Sequence, residues 1–404
     1  MKFYFHKSKV QIKEYNVRLI EKILGSYITP VVSESDYVMI SICDISEINE
    51  LQKAKAYGKP IVCGGMVSDY PIINELSDYV WHGEVYGFKK ELDAGKHLDE
   101  MPSMSKQGER SLVIDQRIEW AKNPIIKVGN RAMYYYVSKS CPVKCKYCYI
   151  SYVRKYQVVP EVIYRKAAKV AGKNLMPIAA FNPYGTVCKT NIGETFLKNY
   201  VSGKVGSGSR TLRAGVEFCD QELSKNLAKN VTRDDFYEAI RRSERDGTKL
   251  IMYFIAGIEE QPALEDYFGN IPISYSNKNP VTIVFTYIDP QPFTPFYQFD
   301  ITRKIGNIDA KKIYHIATQR NKRVRIMPLA GPSKSTLRTL LGRATNIEQY
   351  KLIKSLKKAD NGTIIDKIGK TYPELLGSES LEEVKSRRRI ASAVPYWGEV
   401  INVF

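Results

Sequence analysis

The chain has 404 residues, of which 44% are hydrophobic and 26% are charged. This length is sufficient for two or three domains with full hydrophobic cores. No run of eighteen or more apolar residues occurs, so we expect no transmembrane helix and no role in the membrane. Seven cysteines and an N-terminus without an apolar leader favour a reducing, cytoplasmic location over a secreted, disulfide-bonded protein.

The net charge of +18 predicts a polyanionic partner, with nucleic acid favoured over an anionic membrane surface. The charge is concentrated in residues 302–358, which contain fifteen Lys or Arg residues against Asp309 and Glu348, a balance of +13. We therefore expect this segment to bind nucleic acid. The alternative is a general bias of the composition toward lysine, with the charges on solvated helix faces.

Residues 1–95 predict an α/β unit with a Rossmann-like parallel sheet. Strand patterns occur at 2–5, 37–41, 61–63 and 78–81, and helical patterns at 10–24 and 44–56. Strands and helices that alternate across short polar connections are typical of a parallel sheet. Residues 96–130 are more polar and are predicted to be a linker with one short helix at 117–122.

Three cysteines follow an apolar run at 133–137 that predicts a buried strand, in the stretch Cys141-Pro-Val-Lys-Cys145-Lys-Tyr-Cys148. Three thiolates on one short loop can converge on a single metal centre. They leave a tetrahedral iron or zinc site one ligand short, and an open position usually serves chemistry. The alternatives are a structural zinc loop that takes its fourth ligand from elsewhere and three unrelated buried thiols.

This spacing, with Tyr147 just before the last cysteine, resembles the signature of the radical S-adenosylmethionine (radical SAM) enzymes. The resemblance implies that Cys141, Cys145 and Cys148 bind three irons of a 4Fe–4S cluster and that S-adenosylmethionine chelates the fourth. It also implies that Tyr147 packs at the adenine end of that cofactor. An electron from a donor such as flavodoxin or ferredoxin would then cleave the sulfonium, and the resulting 5′-deoxyadenosyl radical would abstract hydrogen from a substrate.

The resemblance continues through 131–300, where strand and helix patterns follow the order of a partial (β/α)6 barrel. It implies further contacts with S-adenosylmethionine. The family's Gly-Gly-Glu segment is absent, so Asn182 or Glu194 would bind the amino group, although Glu194 also fits a plain turn. Glu217 would bind the ribose hydroxyls, Arg213 the methionine carboxylate or a substrate phosphate, and Gly257 would admit the adenine edge. Interstrand ion pairs are the alternative for Arg213 and Glu217.

Residues 1–95 also resemble the cobalamin-binding domain that precedes many radical SAM cores, and its counterpart in the tRNA methylthiotransferases. Cobalamin domains that ligate cobalt from below carry an Asp-x-His-x-x-Gly loop, which is absent here. Methylthiotransferases use three cysteines in this domain for a second cluster, whereas only Cys43 and Cys63 occur. We therefore expect a retained scaffold with neither cofactor, and cobalamin in particular is not expected.

Residues 301–404 predict a basic, mainly helical region, with helical patterns at 310–317, 334–342 and 346–358. Taken together, the patterns favour a radical SAM enzyme that modifies or rearranges a base of DNA or RNA. One alternative is a radical SAM methylase or maturase that acts on a protein or a small molecule. The other is a non-catalytic nucleic-acid-binding protein stabilised by zinc.

Overall fold

In a computed structural model of the chain, the described residues are 1–7, 12–109, 111–128, 132–172, 175–178, 194–203, 211–303, 308–327, 331–386 and 399–403. They form several parallel sheets with helices packed against them. None of the helices described in these ranges combines the length and the apolar character needed to cross a bilayer.

Six strands from the N-terminal part of the chain form the first sheet, and four helices lie between them in the sequence. The strands are β1 (Phe3–Phe5), β2 (Ile28–Thr29), β3 (Tyr37–Ser41), β4 (Ile61–Gly64), β5 (Tyr79–Trp81) and β6 (Met104–Lys106), and the helices are α1 (Ile12–Leu24), α2 (Asn49–Lys55), α3 (Pro71–Leu76) and α4 (Val85–Asp93). Their order is β2-β1-β3-β4-β5-β6, with only β6 antiparallel to its neighbour. The strands are short apolar runs because helices cover both faces of the sheet.

The remaining elements follow the same alternation. The strands are β7 (Ser111–Asp115), β8 (Ile126–Val128), β9 (Ala132–Tyr136), β10 (Ser138–Lys139), β11 (Gln157–Val158), β12 (Leu175–Ile178), β13 (Thr211–Glu217), β14 (Lys249–Ala256), β15 (Val281–Tyr287), β16 (Val324–Ile326) and β17 (Glu399–Val403). The helices are α5 (Ile150–Val153), α6 (Glu161–Ala171), α7 (Glu194–Val201), α8 (Gln221–Asn226), α9 (Arg233–Asp246), α10 (Gln261–Gly269), α11 (Ala310–Arg320), α12 (Pro332–Arg343), α13 (Ile347–Ser355), α14 (Asn361–Thr371) and α15 (Leu381–Ser386).

The central part of the chain forms two further sheets. In one, β9 pairs in parallel with β12 and in antiparallel with β8. In the other, β13, β14, β15 and β16 are neighbours in chain order and all parallel. Helices cross between these strands, so the carboxyl ends of the strands share one edge of each sheet. The predicted α/β class with parallel sheets is confirmed.

The glycine that follows β4 determines how the N-terminal sheet ends. Gly65 has a φ of +115°, and a Cβ there would lie 2.4 Å from the carbonyl oxygen of Ile42. Only glycine lets the chain cross the end of β3 this closely. The crossing leads into residues 66–70, which face the loop of residues 140–149, here named the cysteine loop because it carries Cys141, Cys145 and Cys148.

The structure differs from the sequence-based prediction in three places. Residues 96–130, predicted as a linker with a helix at 117–122, contain β6, β7 and β8, and the helix is reduced to a 3-10 turn at Trp120–Lys122. The apolar run Pro177-Ile-Ala-Ala-Phe181 predicts a strand that starts at Pro177, whereas β12 begins two residues earlier, at Leu175. The C-terminal part also contains β16 and β17, and β17 pairs in parallel with the distant β7. Such short strands depend on non-local pairing, which the local pattern does not reveal.

Arg343, at the end of α12, holds the segment that follows β15. Its guanidinium is buried and donates hydrogen bonds to the carbonyl oxygens of Leu375 (2.9 Å), Phe299 (2.7 Å) and Tyr297. Three carbonyls of irregular backbone thus find their partner in one side chain. The segment after β15 also contacts the cysteine loop. By holding this segment, Arg343 helps to fix the position of that loop.

Replacing Arg343 with Met should leave these three buried carbonyls without donors. We expect the free energy of unfolding to fall by about 3 kcal/mol, measured by chemical denaturation. Arg303→Met is the matched control, because Arg303 is exposed and pairs with Asp300 on the surface. It should change stability by less than about 1 kcal/mol. Equal losses in the two variants would contradict the role assigned to Arg343.

Candidate functional site

The three cysteines lie on the cysteine loop, which connects β10 to α5. Ser140 begins the loop with a φ of +62°. Its hydroxyl lies within hydrogen-bond distance of the carbonyl oxygens of Ile150 (2.8 Å) and Arg154 (2.7 Å). These contacts bring the start of the loop to the helix that follows it, so the loop is closed at its base.

Backbone hydrogen bonds then attach the cysteine loop to two other loops. The amide of Lys146 donates to the carbonyl of Leu227 (3.1 Å), and its carbonyl accepts from the amide of Phe296 (3.3 Å). The amide of Tyr149 donates to the side-chain oxygen of Gln291 (3.1 Å). The turn after α8 and the segment after β15 therefore enclose the cysteines. Both lie beyond the carboxyl ends of parallel strands, where α/β proteins place functional groups.

The thiols differ in burial. Cys145 is buried, its Sγ lies 3.5 Å from the carbonyl oxygen of Ala228, and Cys141 and Cys148 are half-buried. Burial raises the pKa of Cys145 to about 12, although the nearby Lys229 opposes this shift. Within the described ranges, no group of three or more His, Cys, Asp or Glu side chains is arranged to hold a metal ion. The three thiols thus supply donors on one loop without forming a ready ligand set.

Glu217 reaches this region from the carboxyl end of β13. It has a φ of +73°, and the register of β13 against β14 shifts between Gly215 and Glu217. The carboxylate Oε1 lies 3.4 Å from the ammonium of Lys229. A Cβ at Gly215 would lie 1.9 Å from that Oε1. The bulge and the absent side chain together make room for a carboxylate turned toward Lys229.

Tyr147 connects the cysteine loop to this carboxylate. Its ring packs edge-on against Phe218, with centroids 5.6 Å apart. Burial, with a smaller contribution from the charge of Glu217, raises the pKa of its phenol well above the usual range. The structure therefore brings Tyr147, Glu217 and Cys145 close together, while the roles predicted for them stay predictions. It adds Lys229, a buried cation that the sequence analysis does not single out.

Gly257 follows β14 and lies beside this group. Its φ is +96°, and a Cβ there would lie 3.2 Å from the ring of Tyr287. The next carboxylate along the chain, Glu259, was not predicted. It is buried, accepts hydrogen bonds from the amides of Cys219 (2.7 Å) and Asp220 (2.6 Å), and has a pKa that burial raises to about 7.

The described part of the structure does not place the other three residues predicted to bind S-adenosylmethionine at the site. Arg213 lies four residues before Glu217 on β13, and its side chain is exposed. Asn182 lies outside the described residues. Glu194 is the first residue of α7, and its side chain also lies outside the described part of the chain. These three assignments stay predictions.

A buried ionic network joins the cysteine loop to the N-terminal sheet. Asp69 accepts hydrogen bonds from the hydroxyl of Tyr149 (2.6 Å) and the guanidinium of Arg154 (2.9 Å), and His82 Nδ1 lies 2.8 Å from its other oxygen. Burial alone would raise the pKa of Asp69, but Arg154, His82 and Tyr149 outweigh it and hold the pKa at about 2. Asp69 is therefore ionised at neutral pH.

A cavity of about 200 Å³ lies between the same two parts of the chain. Residues beyond the carboxyl ends of β3 and β4 form one wall, and the cysteine loop with the segment after β15 forms the other. The lining includes Cys43, Met66, Tyr70, Cys148, Asp289 and Arg338. Arg338 closes one side, because it donates to both carboxylate oxygens of Asp44 (2.8 Å) and to Asp289 (3.0 Å).

Comparison with solved structures shows which known folds this chain resembles. One match is the cobalamin-dependent S-adenosylmethionine radical enzyme OxsB with aqua-cobalamin bound, at a TM-score of 0.51 and 10% identity, covering 95% of this chain and 77% of OxsB. The chain shares the fold of OxsB. The radical SAM methyltransferase TsrM from Kitasatospora setae, with cobalamin and a 4Fe–4S cluster bound, matches at a TM-score of 0.49 and 10% identity, covering 89% of this chain and 100% of TsrM. No protein-family model and no curated protein sequence matches the chain.

The likeness to OxsB confirms the predicted resemblance at the level of the fold, because OxsB is a cobalamin-dependent S-adenosylmethionine radical enzyme. It also shows that one prediction was wrong, namely that cobalamin is not expected. OxsB is cobalamin-dependent, and the shared fold extends over 95% of this chain, so that the N-terminal sheet is included. The absence of the Asp-x-His-x-x-Gly loop concerns only the side chain that would ligate cobalt from below. It leaves the sheet edge and the cavity beside Cys148 in place.

From the low pKa of Asp69 we predict how the free energy of unfolding depends on pH. Because the folded pKa of about 2 lies below the usual aspartate value of 3.8, the ionised carboxylate stabilises the fold above pH 3.8 and loses this effect as the pH falls toward 2. Asp69→Asn should therefore lower the free energy of unfolding at pH 7 by about 2 kcal/mol. The difference from the wild type should shrink below about pH 4, as measured by denaturant titrations at several pH values.

Asp93→Asn is the control for this prediction, since Asp93 is an exposed carboxylate paired with Lys89 on α4. Its effect at pH 7 should be less than about 1 kcal/mol. A pH-independent difference between Asp69→Asn and the wild type would refute the ionic role of Asp69.

Proposed function

We propose that the chain is a radical SAM enzyme that also uses cobalamin, bound between the N-terminal sheet and the cysteine loop. The observation that carries the proposal is the cavity of about 200 Å³ in which Cys148 and the ends of β3 and β4 face each other, which has room for the face of a corrin ring but not for the whole cofactor. The fold shared with OxsB supports it. We further infer that β9, β12 and β13–β16 form one six-stranded partial barrel, since they follow each other in chain order and pair in parallel wherever they are described as neighbours.

The donor chemistry of the cysteine loop suits an iron–sulfur cluster. Three thiols of Cys141, Cys145 and Cys148 would bind three irons, and Lys229 lies close enough to Cys145 to favour its thiolate. When cluster and S-adenosylmethionine are bound, they supply a 5′-deoxyadenosyl radical, and cobalamin supplies a carrier for one-carbon or further radical chemistry.

The chain's own residues would bind and orient S-adenosylmethionine. Glu217 can accept hydrogen bonds from both ribose hydroxyls with its two carboxylate oxygens, and the ammonium of Lys229, 3.4 Å away, holds that carboxylate turned inward. Gly257 would let the backbone after β14 approach the adenine edge, since any side chain at this position would crowd the ring of Tyr287. Tyr147 covers the cysteine loop with an aromatic ring, which excludes water from the reacting centre.

For the reaction class, we favour methyl transfer or a related radical step on a small molecule or a side chain. Part of the positive charge in 302–358, from which a nucleic-acid substrate is predicted, stabilises the fold instead. Of the fifteen cations in 302–358, Arg323 and Arg343 are buried and Arg338 pairs with Asp44 and Asp289. An electron donor of the flavodoxin or ferredoxin class is part of the proposal, because cleavage of the sulfonium needs one electron.

The cluster and its cofactor can be tested by anaerobic reconstitution with iron and sulfide, followed by incubation with S-adenosylmethionine and a reductant. We expect the wild type to release 5′-deoxyadenosine, detected by mass spectrometry. Cys145→Ser should abolish both the iron–sulfur absorbance and the product, because it removes one of only three cluster ligands. Cys219→Ser is the matched control, since Cys219 is a buried cysteine outside the cysteine loop. Colourless protein with one bound zinc would contradict the proposal.

Cobalamin binding can be tested separately by filling the cavity. Met66 lines the cavity and is 46% exposed, so that a larger side chain there has room outside the core. Met66→Trp should weaken cobalamin binding by at least about tenfold while the iron content stays unchanged, because the indole occupies the space of the ligand. Met66→Leu keeps the volume and should bind as the wild type does. Unchanged binding in Met66→Trp would place cobalamin elsewhere.

A further inference from the structure

A second concave surface lies at the other end of the central sheet. It is an open groove of about 560 Å³, bounded by the loop before β15, helix α11 and the start of β16. The cysteine loop contacts the segment that follows β15. β15 has seven residues and rises by about 3.3 Å per residue, so it is roughly 20 Å long. This length separates the groove at the start of β15 from the cysteine loop at its end. The groove is therefore separate from the proposed active site.

Two tyrosines line this groove and leave their rings in solvent. Tyr275, on the loop before β15, is 85% exposed, and Tyr314, on α11, is 41% exposed. Neither ring adds much to the core at such exposure. An exposed pair of rings across one groove provides flat surfaces on which planar groups can stack.

Two cations complete the groove. Lys322 and Arg325 both line it and are exposed, and the groove's other lining residues are neutral and polar. The guanidinium of Arg325 donates to the carbonyl oxygens of Lys322 (2.9 Å) and Val324 (2.8 Å). These bonds orient the guanidinium but leave its positive charge uncompensated. Within the described lining there is no carboxylate, so the groove selects anions.

The loop that carries Tyr275 is fixed against the residues that carry Lys322. The amide of Ser274 donates to the carbonyl of Arg320 (2.9 Å), and the amide of Lys322 donates to the carbonyl of Ser274 (2.9 Å). The side-chain amide of Asn321, a buried residue, donates to the carbonyl of Pro272 (2.8 Å). The backbone on both sides of the groove is thus held in place before any ligand binds, which reduces the entropy lost on binding.

We propose that this groove binds single-stranded nucleic acid. Stacking of bases on aromatic rings, combined with cations along the backbone, is how proteins bind single strands without sequence preference. A duplex would not offer its bases to the two rings. An acidic peptide would use the cations but leave the rings without a planar partner. The proposal concerns this surface alone and does not depend on radical chemistry at the cysteine loop.

The test measures binding of a fluorescent oligothymidylate or oligouridylate of about 15 nucleotides to the full chain by anisotropy. The wild type should bind at about 50 mM salt and weaken steeply toward 200 mM. Tyr275→Ala combined with Tyr314→Ala should weaken binding about tenfold or more, because two stacking surfaces are lost. Tyr275→Phe combined with Tyr314→Phe keeps both rings and should stay within about twofold of the wild type.

The charge component has its own variant and control. Lys322→Gln combined with Arg325→Gln should reduce the slope of log affinity against log salt by about 1.4, corresponding to two phosphate contacts on a single strand. Lys166→Gln combined with Lys169→Gln removes two exposed cations from α6 and should leave that slope unchanged. No binding by the wild type, equal binding of a duplex, displacement by polyglutamate as effective as by unlabelled oligonucleotide, or alanine variants that bind like the wild type would each overturn the proposal.

Discussion

The arrangement of the candidate site depends on one buried carboxylate. Asp69 belongs to the loop after β4, yet its hydrogen-bond partners Tyr149 and Arg154 flank α5, directly after the cysteines. An isolated buried charge would be unfavourable, so Asp69 needs these partners, and they in turn fix where the cysteine loop lies. His82, from the end of β5, adds a third contact to the same carboxylate. The N-terminal sheet and the cysteine loop are thereby held in one arrangement, with the cavity between them.

Other contacts reinforce the same junction from the opposite side. Arg338 on α12 bridges Asp44, beyond β3, and Asp289, beyond β15. Arg343, one turn further along α12, holds the backbone that contacts the cysteine loop. These arginines belong to the segment whose charge first indicates nucleic acid. Charge concentration along a sequence therefore includes side chains that act within the fold, and only the exposed remainder is available to a partner.

Much of this fold can be predicted from the sequence, because its strands are local apolar runs and its helices have clear periodicity. The strand Tyr37–Ser41, for example, is found at the predicted residues. The pairing of β17 with β7 and the buried network of Asp69 cannot be read from the sequence, because each depends on residues far apart in the chain. Within the site, Glu217 and Tyr147 are predicted because they follow a motif. Lys229 and Glu259 carry no motif and become visible only when the chain folds around them. The prediction about cobalamin was wrong because it equated one missing cobalt ligand with loss of the binding site.

The measurement that tests the central claim most directly is low-temperature electron paramagnetic resonance of the anaerobically reconstituted, reduced protein, recorded with and without S-adenosylmethionine. If Cys141, Cys145 and Cys148 bind three irons and leave the fourth open, a reduced 4Fe–4S signal should appear and its g values should shift when S-adenosylmethionine is added. A signal that S-adenosylmethionine leaves unchanged, or the absence of any iron–sulfur signal from protein that contains all three cysteines, would contradict the assignment of this loop.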